Sequence, residues 1–187
     1  KDRPLAVLLE WAKYPTREVT AMFAEIPNTA AGHKEAARYP YRDSHSRPLL
    51  HAAIDPQQLI AAFAAAPPPW VGTLMLARDK LVACAGLKTG SRIDGTPRPP
   101  FRIGQHLGVF RIIGLSPSEA ILGQEDRHLD FRISLLVDQQ RLTVSTLVRP
   151  HNVFGVLSLA CTLPFHHLIV FVTLRRIVRR LRQESAS

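Results

Sequence analysis

With 187 residues and 46% hydrophobic side chains, the chain is long enough for one domain with a substantial core plus a tail. Its two cysteines, Cys84 and Cys161, exclude a disulfide framework, and neither belongs to a CxxC pair, which fits a reducing, cytoplasmic setting. The net charge of +9 is concentrated in the last helix, where Arg175, Arg176, Arg179, Arg180 and Arg182 crowd together. No nucleic-acid-binding motif accompanies them, so a solvated basic helix face is expected, able to meet a membrane surface but not reading nucleic acid.

Residues 1 to 42 read as an N-terminal extension. Leu5 to Trp11 can form a short helix, and Pro15-Thr16-Arg17-Glu18 can start another that carries Val19, Met22, Phe23 and Ile26 on one face. Pro27-Asn28 and Gly32 then break the pattern. Lys1-Asp2-Arg3-Pro4 leads only into a short apolar run ending at Glu10, so these residues are not expected to form a signal peptide. From Asp43 to the end, a single domain is expected.

Residues 44–51 predict a first strand, with Pro48 arguing for an edge. Asp55-Pro56-Gln57-Gln58 is a helix start, in which Asp55 caps, Pro56 suits the first turn and Gln58 can reach back in a capping box. Leu59, Ile60 and Phe63 supply the buried side, and Pro67-Pro68-Pro69 stops it. Pro69 opens a second helix with Trp70, Leu74, Ala77 and Leu81 at helical spacing. Lys88 to Gln105 is a long Gly- and Pro-rich segment, read as a flexible crossover rather than a lid.

Three turn-linked strands follow, at 109–115, 119–124 and 127–137, and a fourth at 141–149 completes a meander. The last pair is fixed by arithmetic. Leu129, Phe131, Ile133, Leu135 and Val137 alternate with His128, Asp130, Arg132 and Ser134. A turn at Asp138-Gln139-Gln140-Arg141 sets Val137 opposite Leu142, Leu135 opposite Val144, Ile133 opposite Thr146 and Phe131 opposite Val148. The same register places Ser134 against Ser145, Asp130 against Arg149 and His128 against His151, and a slip of one residue would destroy both matches.

Val153 to Leu174 carries no formal charge and is long enough to span a bilayer. The helical face Val170, Leu174, Ile177, Leu181 nevertheless continues past the arginines, which favours a long helix packed on the sheet.

The phrases PPPWVGTLMLARDKLVACAGLKTG, FRI, LGVFRIIGLSPSEAILGQEDRHLDFRISLLVD and TLVRPHNVFGVLSLACTLPFHHLIV resemble the bacterial family called domain of unknown function 2867. The order of strand, two helices, meander and long C-terminal helix resembles the helix-grip fold of the START-like (SRPBCC, Bet v 1-like) superfamily. The resemblance covers roughly Asp43 to Arg180. It implies an α+β fold in which an antiparallel meander wraps a long C-terminal helix, with a cavity between them that takes apolar ligands. It supplies no catalytic residues.

Two sets of candidate residues follow. The apolar cavity is expected to be lined by Leu129, Phe131, Ile133 and Val144, with Trp70 and Phe171 from the helices. The polar cluster His128, Asp130, Arg132, Arg149 and His151 shares one hairpin face. Arg132 and Arg149 could grip a carboxylate or phosphate there. The plainer reading is a solvent face with a cross-strand Asp130–Arg149 ion pair. His128, Asp130 and His151 have the donor types of a metal site, but Arg149 competes for the carboxylate, and no metal or other cofactor is expected. His166 and His167 lie about 100° apart on a helix, so they should not easily face one ligand, and at least one is expected as a hydrogen-bonded histidine near the core. There is no phosphate-binding Gly loop and no GxSxG turn, and Lys88-Thr89-Gly90 lacks the Ser-x-x-Lys that would accompany it in a β-lactamase.

Three functions stand in order of expectation. The first is a module binding a small apolar molecule or lipid. The second is a membrane-associated protein held by residues 153–174. The third is an enzyme using His128, Asp130 and Arg132 as acid, base and anion holder. A homo-oligomer is compatible with each.

Overall fold

The computed structural model describes residues 38–49, 54–73 and 98–184. Their elements run β1 (Tyr41–Pro48), α1 (Pro56–Ala65), β2 (His106–Leu107), β3 (Phe110–Leu115), β4 (Glu119–Glu125), β5 (Leu129–Asp138), β6 (Arg141–Pro150) and α2 (Val153–Glu184). The strands form one antiparallel sheet in the order β1-β6-β5-β4-β3-β2, and α2 and α1 pack on it. This is the helix-grip arrangement expected from the sequence, an α+β fold with the sheet held against a long C-terminal helix.

The β5–β6 register is the one that the side-chain alternation dictates. Val137 pairs with Leu142, Leu135 with Val144, Ile133 with Thr146, Phe131 with Val148, Ser134 with Ser145 and Asp130 with Arg149. The connecting turn reaches the required geometry without glycine, since Gln139 and Gln140 both adopt positive φ, 44° and 61°. The Ser116–Ser118 turn also forms, closed by the Ser116 N–H donating to the Glu119 carbonyl at 2.8 Å.

β1 lies at the edge, as Pro48 requires, but it begins three residues earlier than predicted. It therefore starts inside the expected extension, of which residues 1–37 lie outside the described residues. The shift has a physical cause. Tyr41, Asp43 and His45 pair opposite Val148, Thr146 and Val144, so they face the helix side although all three are ionisable. A reading by hydrophobicity does not place such residues inward. The two-residue β2, which continues the meander past β3, was also not anticipated.

α1 is capped as read from its sequence. The Gln57 N–H donates to the Asp55 carboxylate at 2.9 Å, and Pro56 occupies the first turn. The glutamine that reaches away from the helix is Gln57 rather than Gln58. Its side-chain amide donates to the Phe101 carbonyl at 3.0 Å and accepts the Phe101 N–H, which anchors the end of the Gly- and Pro-rich segment with Phe101 in the core. The helix expected from Pro69 is present at residues 69–73, and its continuation through Leu74, Ala77 and Leu81 lies outside the described residues, as do residues 88–97 of that segment.

The core joins Leu59 and Ile60 of α1, Ile112, Leu122, Leu135 and Leu142 of the sheet, and Leu174 and Ile177 of α2, all fully buried. Val170, Leu174, Ile177 and Leu181 hold the buried face of α2, while Arg175, Arg176, Arg179, Arg180 and Arg182 are exposed. By length and composition α2 is able to cross a membrane. Leu168 and Val170 to Leu174, toward the end of that stretch, are buried in the protein's own core, while 22% of its most apolar 18-residue window is buried. The most exposed large apolar residues, Val153, Phe154, Val156 and Leu157, lie at its start.

Candidate functional site: a cavity with an Asp–His wall

The start of α2 is tied to the β4–β5 turn by polar bonds and close backbone packing. Asn152 caps the helix, its side-chain oxygen accepting the Gly155 N–H at 3.1 Å. With that oxygen fixed, the Asn152 amide donates to the Arg127 carbonyl at 3.2 Å and faces His128 Nδ1 at 3.1 Å. The His151 N–H donates to the His128 carbonyl at 2.8 Å. Gly155 lies against the same carbonyl so closely that a Cβ there would come within 2.0 Å of it. The sequence phrases EDRH and RPHN thus meet at one point and set how α2 leaves the sheet.

Beyond this junction the sheet and helix enclose a cavity of about 330 Å³. Phe131, Ile133, Val144 and Val148 line it from the sheet, and Leu163 and Val170 from α2. Val109, Asp126, Phe154 and Pro67 line it while exposed, so they mark its mouth among the described residues. Thr173 also faces the cavity, and its buried hydroxyl finds no partner among the described residues.

One wall is polar. Tyr41 and His166 line the cavity, and behind them sits Asp43, its side chain 9% exposed. Asp43 Oδ2 lies 2.8 Å from His166 Nε2, 3.2 Å from His45 Nε2, 3.5 Å from the Tyr41 hydroxyl and 3.6 Å from His167 Nδ1. His167 Nδ1 is 3.5 Å from His45 Nε2. The other carboxylate oxygen, Oδ1, is buried without a hydrogen bond among the described residues.

The electrostatics follow from this packing. Burial acts to raise the Asp43 carboxyl, but hydrogen bonds from His166 and His45, and their charge, outweigh it and hold the group well below the usual carboxylate range. Burial, then the neighbouring Asp43 charge and the hydrogen bond to it, pushes the Tyr41 phenol well above its ordinary value, so Tyr41 stays protonated and able to donate. Burial and the adjacent His166 lower the His167 imidazole, against the opposing pull of Asp43.

The residues anticipated from sequence fall in three places. Leu129, Phe131, Ile133 and Val144 line the cavity. Trp70 packs half-buried against the core, and Phe171 turns toward β1, where the Arg47 guanidinium lies 5.3 Å from its ring centre. The polar cluster does not converge. His128 sits at the cavity mouth against Asn152 and the Phe154 ring. Asp130 pairs with His151 at 2.9 Å rather than with Arg149, and Arg132 pairs with Glu125 at 3.1 Å with the Tyr39 ring near it. That face is turned away from α2, because Asp130 and Arg132 alternate with the cavity-lining residues.

His166 and His167 do address one group, contrary to the expectation from their angular separation. Asp43 Oδ2 lies between the two directions, close enough for both rings. Tyr41, Asp43 and His45 were not anticipated. Their signal was the alternation in YRDSH, which is visible only once β1 is placed in phase with β6.

A scan of protein families matches residues 35–173 to the family described as "Protein of unknown function (DUF2867)". No curated protein and no solved structure matches the chain.

Proposed function

We propose that this protein, which belongs to the DUF2867 family, is a binding module for one small, mostly apolar molecule carrying a single hydrogen-bonding group. The cavity between sheet and helix carries this reading. Its volume of about 330 Å³ falls at the small end of the range for ligand sites, about 300–1,000 Å³. Its walls have the composition such sites use, apolar side chains with a few polar groups to fix orientation. Phe131, Ile133, Val144 and Leu163 would take the apolar body, while the protonated Tyr41 hydroxyl and the Thr173 hydroxyl, which has no partner among the described residues, would meet its polar end. Exposed apolar side chains at the mouth, Val109 and Phe154, suit the entry of such a molecule.

Thermal unfolding in the presence of medium-chain fatty alcohols and fatty acids tests the reading. A ligand at a hundredfold excess over its Kd adds about 2.7 kcal/mol, or roughly 5–10 °C in Tm for a chain of this size. A saturable rise of that order is expected for at least one of the two head-group classes, and the better class identifies the polar group preferred. Equal and unsaturable responses to both, or none, would contradict the proposal.

A further inference from the structure

The cluster behind the cavity wall goes beyond ligand binding. We infer that Asp43, His45 and His167 form a binding site for a divalent first-row transition ion of the zinc type, with His166 as the residue that positions the carboxylate. The inference rests on spacing and donor chemistry, and it stands independently of the apolar ligand.

The three donor atoms make a nearly equilateral triangle: Asp43 Oδ2 to His45 Nε2 at 3.2 Å, His45 Nε2 to His167 Nδ1 at 3.5 Å, and His167 Nδ1 to Asp43 Oδ2 at 3.6 Å. Ligands bonded to zinc at about 2.0–2.1 Å with tetrahedral angles lie about 3.3–3.4 Å apart. One ion could therefore reach all three donors with small adjustments and keep a fourth position open. Two imidazoles and one carboxylate suit zinc, iron or cobalt rather than magnesium or calcium, which take oxygen ligands.

The alternative, a purely hydrogen-bonded cluster, fits the atoms less well. Three imidazole nitrogens and a phenol crowd the single oxygen Asp43 Oδ2. The three sides of the triangle leave His45 Nε2 and His167 Nδ1 aimed at the same oxygen and at each other, where one proton serves only one of them. A cation among the three satisfies their lone pairs together. His166 Nε2, at 2.8 Å, then supplies the outer hydrogen bond that orients a ligating carboxylate. The His167 side chain is 38% exposed, so the site has a route to solvent beside the buried His45.

Titration of chelator-stripped full chain with zinc chloride, followed by calorimetry, tests the site. One saturable equivalent is expected, lost in Asp43→Asn and in His167→Asn, and weakened about 10–100-fold in His166→Ala. Because the buried Asp43 variant can fail to fold, the half-exposed His167 variant is decisive, and cooperative melting confirms that it is folded. Cobalt(II) should give the visible bands of a four-coordinate ion in the parent chain and lose them in His167→Asn. Absence of saturable zinc binding would overturn the inference. So would zinc binding that survives His167→Asn, or that disappears in His151→Asn, which would place the ion at the Asp130–His151 pair on the other face of the sheet.

Discussion

Replacing Gly155 by alanine should destabilise the protein by about 3 kcal/mol or more, read as a fall in the denaturant midpoint at unchanged slope. The sign makes this informative. In an ordinary helix interior the same change stabilises by roughly 0.5–1 kcal/mol, because alanine restricts the unfolded chain more than glycine does. Here a Cβ would sit 2.0 Å from the His128 carbonyl oxygen, 3.0 Å from its carbon and 3.2 Å from Pro150 Cβ. The first two are backbone atoms of the β4–β5 turn, held by the His151 N–H bond to the same carbonyl, so no side chain can rotate aside. Helix and turn must separate, and with them the Asn152 bonds that cap α2 and join it to Arg127. A stabilising or neutral result would mean that α2 does not start where the structure places it.

Ser158→Trp is expected to abolish ligand-dependent stabilisation while leaving the fold intact. Ser158 is buried on α2, one turn beyond Phe154, and lines the cavity. An indole projecting from this position enters a space of about 330 Å³ whose sheet wall is Phe131, Ile133 and Val148, and it leaves too little room for a second occupant. The apolar surface it covers offsets the loss of the small polar residue, so the melting temperature of the ligand-free variant should stay within a few degrees of the parent. The thermal shift with the best fatty alcohol or acid should fall to zero. A variant that still responds in full would place the ligand outside this cavity.

How far the sequence alone led is clearest at particular residues. The β5–β6 hairpin was legible because two independent patterns, apolar against apolar and Ser134 against Ser145, agree only in one register. The packed face of α2 was legible because Val170, Leu174, Ile177 and Leu181 keep helical spacing through the arginines. Four of the cavity-lining positions followed from the same alternation. Phe171 did not, because one residue on a helix turns a side chain about 100° away from its neighbour, and at Val170 that difference separates the cavity from β1.

The Asp43 cluster was hidden for a different reason. Hydrophobic periodicity assigns inward faces to apolar residues, and β1 turns Tyr41, Asp43 and His45 inward. What makes this tolerable is supplied from more than a hundred residues away, by His166 and His167 on α2. A buried carboxylate and its distant partners cannot be read from either segment separately. The polar residues that did stand out, Asp130, Arg132 and Arg149, stand out because they alternate with the core, and that same alternation turns them to the opposite face.

The central claim, that the space between sheet and helix holds a small apolar molecule, is tested most directly by native mass spectrometry of the full chain purified without detergent. Anything bound would then be extracted and identified. A single stoichiometric adduct, an apolar molecule with one hydroxyl, carbonyl or carboxylate, lost in Ser158→Trp, is the predicted result. A chain that carries no adduct and takes up none when equilibrated with fatty alcohols or acids would contradict the claim. So would a chain recoverable only in detergent, which would assign the exposed start of α2 to a membrane instead.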